Sequence, residues 1–113
     1  MKYIIAIIRP ERLAAVQQAL AQRDVYLMTV SDARGFGRQQ GFVEVYRDRE
    51  LVRSVSKIRI ELAVNDEFTD AAVDAIALAA RTGETGDGKV FVLPLESVVH
   101  VRTGASGSAA VGP

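Results

Sequence analysis

Hydrophobic and polar positions along the chain fall into alternating strand-like and helix-like blocks. Tyr3 to Ile8 is almost continuously apolar and β-branched, as in a central strand. Pro10 follows, where its missing N–H costs nothing in a first helical turn. Leu13, Val16 and Leu20 then recur on one helical face, leaving Arg12, Gln18, Gln22 and Arg23 for the other. Val25 to Val30 reads as a second strand that leads into Gly35-Phe36-Gly37-Arg38.

Residues 38 to 56 break this rhythm. Gln39-Gln40-Gly41 precedes a run dense in charge: Glu44, Arg47, Asp48, Arg49, Glu50 and Arg53. Val43, Val45 and Leu51 alternate with polar neighbours, so the segment is either a functional loop or an exposed β-ribbon. Either one protrudes. Lys57 to Leu62 alternates cleanly, as a half-buried strand should. Asn65-Asp66-Glu67 supplies cap-type and acidic residues before a helix with Phe68, Ala72, Val73, Ile76 and Ala80 on its apolar face. Gly83 ends that helix. Val90 to Leu93 is a fourth strand and Val98 to Val101 a short fifth. Residues 105 to 113 are mostly Gly, Ser and Ala, with no means of packing a core, and are expected to form a flexible tail after a domain spanning 1 to 104.

The order β-α-β-(long loop)-β-α-β predicts an α+β, ferredoxin-like fold, a four-stranded antiparallel sheet with both helices on one face. The other face would be bare. A chain this rich in Ile and Val must cover it, and self-association is the simplest way.

Composition narrows the function classes. A chain of 113 residues makes one compact domain. Fourteen basic residues balance fourteen acidic ones, so there is no electrostatic excess for non-specific nucleic-acid binding. Without cysteine there is no disulfide, thiol chemistry or cysteine metal site. The single histidine, His100, leaves no multi-histidine cluster, which argues against a trimer built to hold borderline metals. The apolar run at the N-terminus is too short for a signal-peptide core with a cleavage site, and no stretch approaches the roughly 20 apolar residues of a membrane span. A cytoplasmic location is expected.

The densest chemistry lies in Thr82-Gly83-Glu84-Thr85-Gly86-Asp87-Gly88-Lys89-Val90-Phe91-Val92. Three glycines let the backbone turn with positive φ and let its N–H groups point inward together, a concavity that suits phosphate. Lys89 adds a point charge at the edge. The same residues would also serve as a tight helix-to-strand connection, and the Walker A spacing is absent. Both readings stand on the loop alone.

In register with the rest of the chain, the loop resembles the PII signal-transduction family from Met1 to about Gly104. Ile7-Ile8-Arg9-Pro10, Met28-Thr29-Val30, Gly35 to Gly41, Thr82 to Val92 and Arg102-Thr103-Gly104 carry the likeness. The resemblance implies a homotrimer with adenine nucleotide (AMP, ADP or ATP) in clefts between subunits. It implies that Gly86, Asp87, Gly88, Lys89 and Arg102 hold phosphates in a loop over residues 82 to 89, and that Gly35, Phe36, Gly37 and Arg38 line the cleft. Met28, Thr29, Glu61 and Ala63 match positions near the base and sugar. Residues 37 to 55 correspond to the family's T-loop, which docks on protein targets, membrane transporters among them. Gln39, Gln40, Gly41 and Lys57 match the 2-oxoglutarate site, with Gln39 helping to hold Mg²⁺ bridged to ATP and Arg9 beside it.

Three departures stand out. The tyrosine and serine modified in many family members are replaced by Leu51 and Arg49, so control by covalent modification is not expected. The usual Phe-Leu-Pro before the lysine reads Ser54-Val55-Ser56. His100 stands where an arginine grips the far phosphates; an imidazole has neither the bidentate fork nor the permanent charge, so ADP or AMP should compete better with ATP. These departures resemble the PII-like proteins linked to carboxysomes and inorganic-carbon uptake, which leaves bicarbonate open beside 2-oxoglutarate as the effector. The expected class is a non-enzymatic regulator. The alternatives are a nucleotide-only energy sensor and a slow ATP hydrolase, for which Glu61, Gln39 and His100 are the only candidate groups.

Overall fold

Alternation along the strands decides what the helices cover. The computed structural model describes residues 1–36 and 54–112, together with the backbone of 43–46 and 49–52. In chain order these form β1 (Lys2–Ile8), a 3₁₀ turn (Pro10–Arg12), α1 (Leu13–Ala21), β2 (Thr29–Gly35), β3 (Val43–Tyr46), β4 (Arg49–Val52), β5 (Val55–Val64), α2 (Asp66–Ala80), β6 (Lys89–Pro94) and α3 (Ser108–Val111). The main sheet runs β2-β5-β1-β6, antiparallel throughout, and the fold is ferredoxin-like as the pattern predicts. Ile4, Ala6 and Ile8 of β1 meet Ile58, Ile60, Leu62 and Val64 of β5 beneath Val16 and Leu20 of α1 and Ala72 and Ile76 of α2. Each fully buried Ile or Leu contributes about 1.5–3 kcal/mol.

Among the described residues, neither α1 nor α2 covers the opposite sheet face. Directly opposed residues share a face, so Tyr3 lies with Leu93 and Ala63, Ile5 with Phe91 and Glu61, and Ile7 with Lys89 and Arg59. Phe91 and Leu93 are 46% and 43% exposed there. β3 and β4 pair in a separate two-stranded ribbon, Val43 opposite Val52 and Tyr46 opposite Arg49. This short ribbon lies within the long loop expected between the second and third strands of the main sheet.

Four local expectations change. The second strand is Thr29–Gly35, not Val25 to Val30. After α1, Asp24 takes φ +61° and the Val25 amide donates back to the Leu20 carbonyl. Val25 is thereby buried against the helix as its closing residue, while Tyr26 and Leu27 stay exposed. β2 is an edge strand, and its Ser31, Asp32 and Arg34 give no apolar signal.

The fifth strand shrinks to one bridge, Val99 opposite Ser106, and residues 100 to 103 turn tightly between them. The end of the chain does pack. Val111 of α3 is buried, and the Asn65 side-chain amide donates to the carbonyls of Ser108 (3.2 Å) and Gly112 (3.0 Å). Asn65 makes no side-chain cap bond to α2, contrary to its expected role. The acidic start of α2 instead meets the chain terminus, with the Met1 amino group 2.8 Å from Asp66 Oδ1.

Candidate functional site

The connection from α2 to β6 is built to stay in one shape. α2 ends at Ala80, and Arg12 clamps that end by donating from Nε and Nη2 to the Ala79 carbonyl. A cation at a helix C-terminus is favoured by the dipole as well as by the bonds. Beyond it Gly83, Gly86 and Gly88 take φ of +89°, +106° and +94°, as the glycine spacing predicts.

Inside the loop sits an anion of the protein's own. Asp87 Oδ2 accepts from the backbone amides of Thr82 (2.8 Å) and Gly83 (2.9 Å). Its Oδ1 accepts from the Thr82 hydroxyl and from Arg9 Nε (3.0 Å). The Thr82 hydroxyl and amide, then Arg9 and Gly83, hold the Asp87 carboxyl well below the usual carboxylate range. Arg9 also donates from Nη2 to the Thr85 carbonyl at 2.7 Å. Asp87 and Arg9, expected as nucleotide and effector ligands, thus also brace the loop.

Lys57 approaches the loop from β5. It is only 8% exposed, and its ammonium donates to the Gly86 carbonyl. Burial first, and then the nearby Arg9 charge, lower its pKa. A cleft of about 500 Å³ lies here, lined by Gly35, Phe36, Lys57, Gly86, Asp87, Gly88 and Lys89. Seven of the expected site residues thus converge. Glu84 and Thr85, within the expected 82 to 89 loop, also line it, as do Ile7, Val55 and Phe91, which were not expected as site residues. Ile7 and Phe91 were findable, since strand alternation puts them on the uncovered sheet face with Lys89.

Other expected residues do not line this cleft. Met28 packs against the core. Thr29 pairs with Glu61 farther along the sheet, and Ala63 pairs with Tyr3. Both Glu61 oxygens are engaged, Oε2 by the Tyr3 hydroxyl at 2.7 Å and Oε1 by Arg59 Nε. Those two donors, Arg59 foremost, lower the Glu61 pKa, and the bond to Glu61 raises that of Tyr3. His100 and Arg102 sit in the exposed turn after β6. Gly37, Arg38, Gln39, Gln40 and Gly41 lie outside the described residues, as do the side chains of Tyr46, Arg49 and Leu51. Among the described residues, no group of three or more His, Asp or Glu side chains could hold a metal ion, and no helix is long and apolar enough to cross a membrane.

A ferredoxin-like sheet with one face open, a braced glycine loop and a buried lysine beside it make up the site. Residues 1–105 match the family described as Nitrogen regulatory protein P-II, and the chain belongs to that family. It is 47% identical to nitrogen regulatory protein GlnK1 of Methanosarcina mazei, covering 98% of this chain and 97% of that one. Its identity to the nitrogen regulatory protein P-II of Nostoc punctiforme is 48%, and to that of Azospirillum brasilense 46%, over 98% of this chain and the full length of each relative. These names speak of nitrogen regulation, and none of the three mentions carboxysomes or inorganic carbon.

Proposed function

We propose that the protein is a non-enzymatic, trimeric regulator. It binds adenine nucleotide together with a small carboxylate and reports their levels to a target protein through residues 37 to 55. The carrying observation is the cleft in which buried Lys57, the braced glycine loop and Lys89 face one another at the edge of an uncovered apolar sheet. One chain supplies only part of the expected set, because Met28, Thr29, Glu61, Ala63, His100 and Arg102 do not line that cleft. Pairing the uncovered faces of neighbouring chains is the arrangement that would bring a second group to it. Phosphate charge would then be met by Lys89 and Arg102, with the Gly86 to Gly88 backbone shaping the pocket. Light scattering in dilute neutral buffer is expected to give the mass of three chains; a monomer would refute the shared site.

Of the two effectors, 2-oxoglutarate is the better reading. It carries two carboxylates, one for Lys57 and one to share a Mg²⁺ with ATP and Gln39, and it fits the nitrogen-regulatory names of the relatives. Differential affinity of these ligands for states of the 37 to 55 segment would be the signal read by a target, a membrane transporter included.

Titration calorimetry with AMP, ADP and ATP, each with and without 2-oxoglutarate or bicarbonate, tests the reading. Lys89→Ala or Arg102→Ala should weaken ATP binding roughly tenfold or more while the trimer persists. His100→Arg should strengthen ATP binding more than AMP binding. Normal ATP affinity in both alanine variants would remove the phosphate assignment. Effector binding seen with bicarbonate and absent with 2-oxoglutarate would move the protein to inorganic-carbon sensing.

The lowered pKa of Lys57 adds a pH signature. Its folded value lies below that of a free lysine, so the unfolded chain binds more protons in the window between the two, and this group's contribution to stability rises with pH there. Effector binding has the opposite slope, because it needs the ammonium. Carboxylate affinity should fall as pH rises through that window and stay level in Lys57→Arg. An unchanged slope in the arginine variant would exclude Lys57 as the group that binds the carboxylate.

A further inference from the structure

The turn that carries His100 and Arg102 has little to hold it by itself. Val99 bridges to Ser106, the His100 amide donates to the Ala105 carbonyl at 2.7 Å, and the Gly104 amide donates to the His100 carbonyl at 2.8 Å. The Gly107 amide closes the base on the Val98 carbonyl at 3.1 Å. An isolated two-stranded hairpin of this size is marginal in water, and Val101 at its tip is 98% exposed.

What fastens it is the return arm. Residues after Ser106 run into α3, where Val111 is buried at 6% exposure. Asn65, the residue before α2, grips both ends of α3 through one amide group on the Ser108 and Gly112 carbonyls. Asparagine is a favoured helix cap, yet here it forgoes that bond and turns its amide to the tail. A side chain drawn away from its local preference marks the tail contact as a specific one.

We propose that Asn65 and Val111 are positioning residues for nucleotide phosphate. By docking the end of the chain they hold the hairpin that presents Arg102 to the phosphates. The inference rests on the two-chain phosphate site proposed above. Neither residue touches the nucleotide; each acts through Arg102.

A double-mutant cycle on the full-length protein tests this. ATP affinity is measured by calorimetry for wild type, Asn65→Ala, Arg102→Ala and the double variant, with the assembly state checked in each. Asn65→Ala is expected to weaken ATP about tenfold, the scale of two lost hydrogen bonds, and to have no further effect once Arg102 is alanine. Amide exchange at His100, Gly104 and Gly107 should quicken in Asn65→Ala with no ligand present. Val111→Asp unseats the tail by removing its buried side chain, leaving Asn65 itself unchanged, and should repeat both effects, so that poor folding of the first variant does not decide the matter. A full loss in the Arg102→Ala background, or normal ATP affinity in Asn65→Ala and Val111→Asp while Arg102→Ala binds weakly, overturns the positioning role alone. Normal affinity in Arg102→Ala overturns the underlying phosphate site and this inference with it.

Discussion

Gly88→Ala is expected to cost on the order of 3 kcal/mol or more and to destroy the loop that faces the cleft. Gly88 has φ +94°, and a Cβ there would sit 1.7 Å from the Ile7 carbonyl oxygen and 2.8 Å from its carbon. The obstacle is backbone, not the yielding end of a side chain. Ile7 cannot retreat, because it is paired on both sides, with Arg59 of β5 and Lys89 of β6. Gly83→Ala is the control. Its φ of +89° is equally unfavourable for alanine, but nothing lies within 4 Å of the added carbon. That variant should lose only about 1–2 kcal/mol, the strain of the left-handed region. Thermal unfolding separates the two, since 1 kcal/mol moves the midpoint by about 4–8 °C in a domain near this size. Equal midpoints for the two variants would show that the approach to Ile7 is relaxed in solution.

Much of this was legible before any coordinates. Clean alternation in Lys57 to Leu62 and the apolar spacing in the two helices located the core, because burial on one side writes a period into the sequence. The positive φ of Gly83, Gly86 and Gly88 was legible because glycine alone tolerates it cheaply. What failed were features set by tertiary partners. β2 is a polar edge strand whose place is decided by pairing with β5, not by its own pattern. Val25 looked like a strand residue because a helix-closing valine and a strand valine are equally apolar. The tail looked unable to pack because its one anchor, Val111, is a single apolar residue and its grip is provided by Asn65, far away in sequence. At the site, residue type singled out Asp87 and Arg9 but gave no sign of the bonds they make within the chain. Those bonds join residues far apart in sequence, Arg9 to Thr85 and Asp87, and no local pattern records them.

Asp87 yields the prediction on which charge and geometry disagree. Removing a negative charge beside a phosphate-binding cleft should, on Coulomb's law alone, tighten nucleotide binding. The bonding pattern says the reverse. One carboxylate accepts from the Thr82 hydroxyl, the Thr82 and Gly83 amides and Arg9, three donors from the start of the loop and one from the residue after β1. An asparagine would present an NH₂ group to one pair of those donors and leave them unsatisfied. Asp87→Asn is therefore expected to weaken ATP binding about tenfold or more, through a loop that no longer holds its shape. The amides of Thr82 and Gly83 should lose protection from hydrogen exchange in parallel. The pH dependence follows from the depressed carboxyl. Its folded value lies below its unfolded one, so its contribution to stability is complete above the ordinary carboxylate range and is lost progressively as pH falls from there through the lowered value, where the folded carboxyl itself takes up its proton. Protection of the two amides in wild type should thus persist into acid, well below the point at which an ordinary aspartate is half protonated. If Asp87→Asn instead binds ATP more tightly with both amides still protected, Asp87 is a repulsive neighbour of the site and the loop owes its shape to the glycines alone.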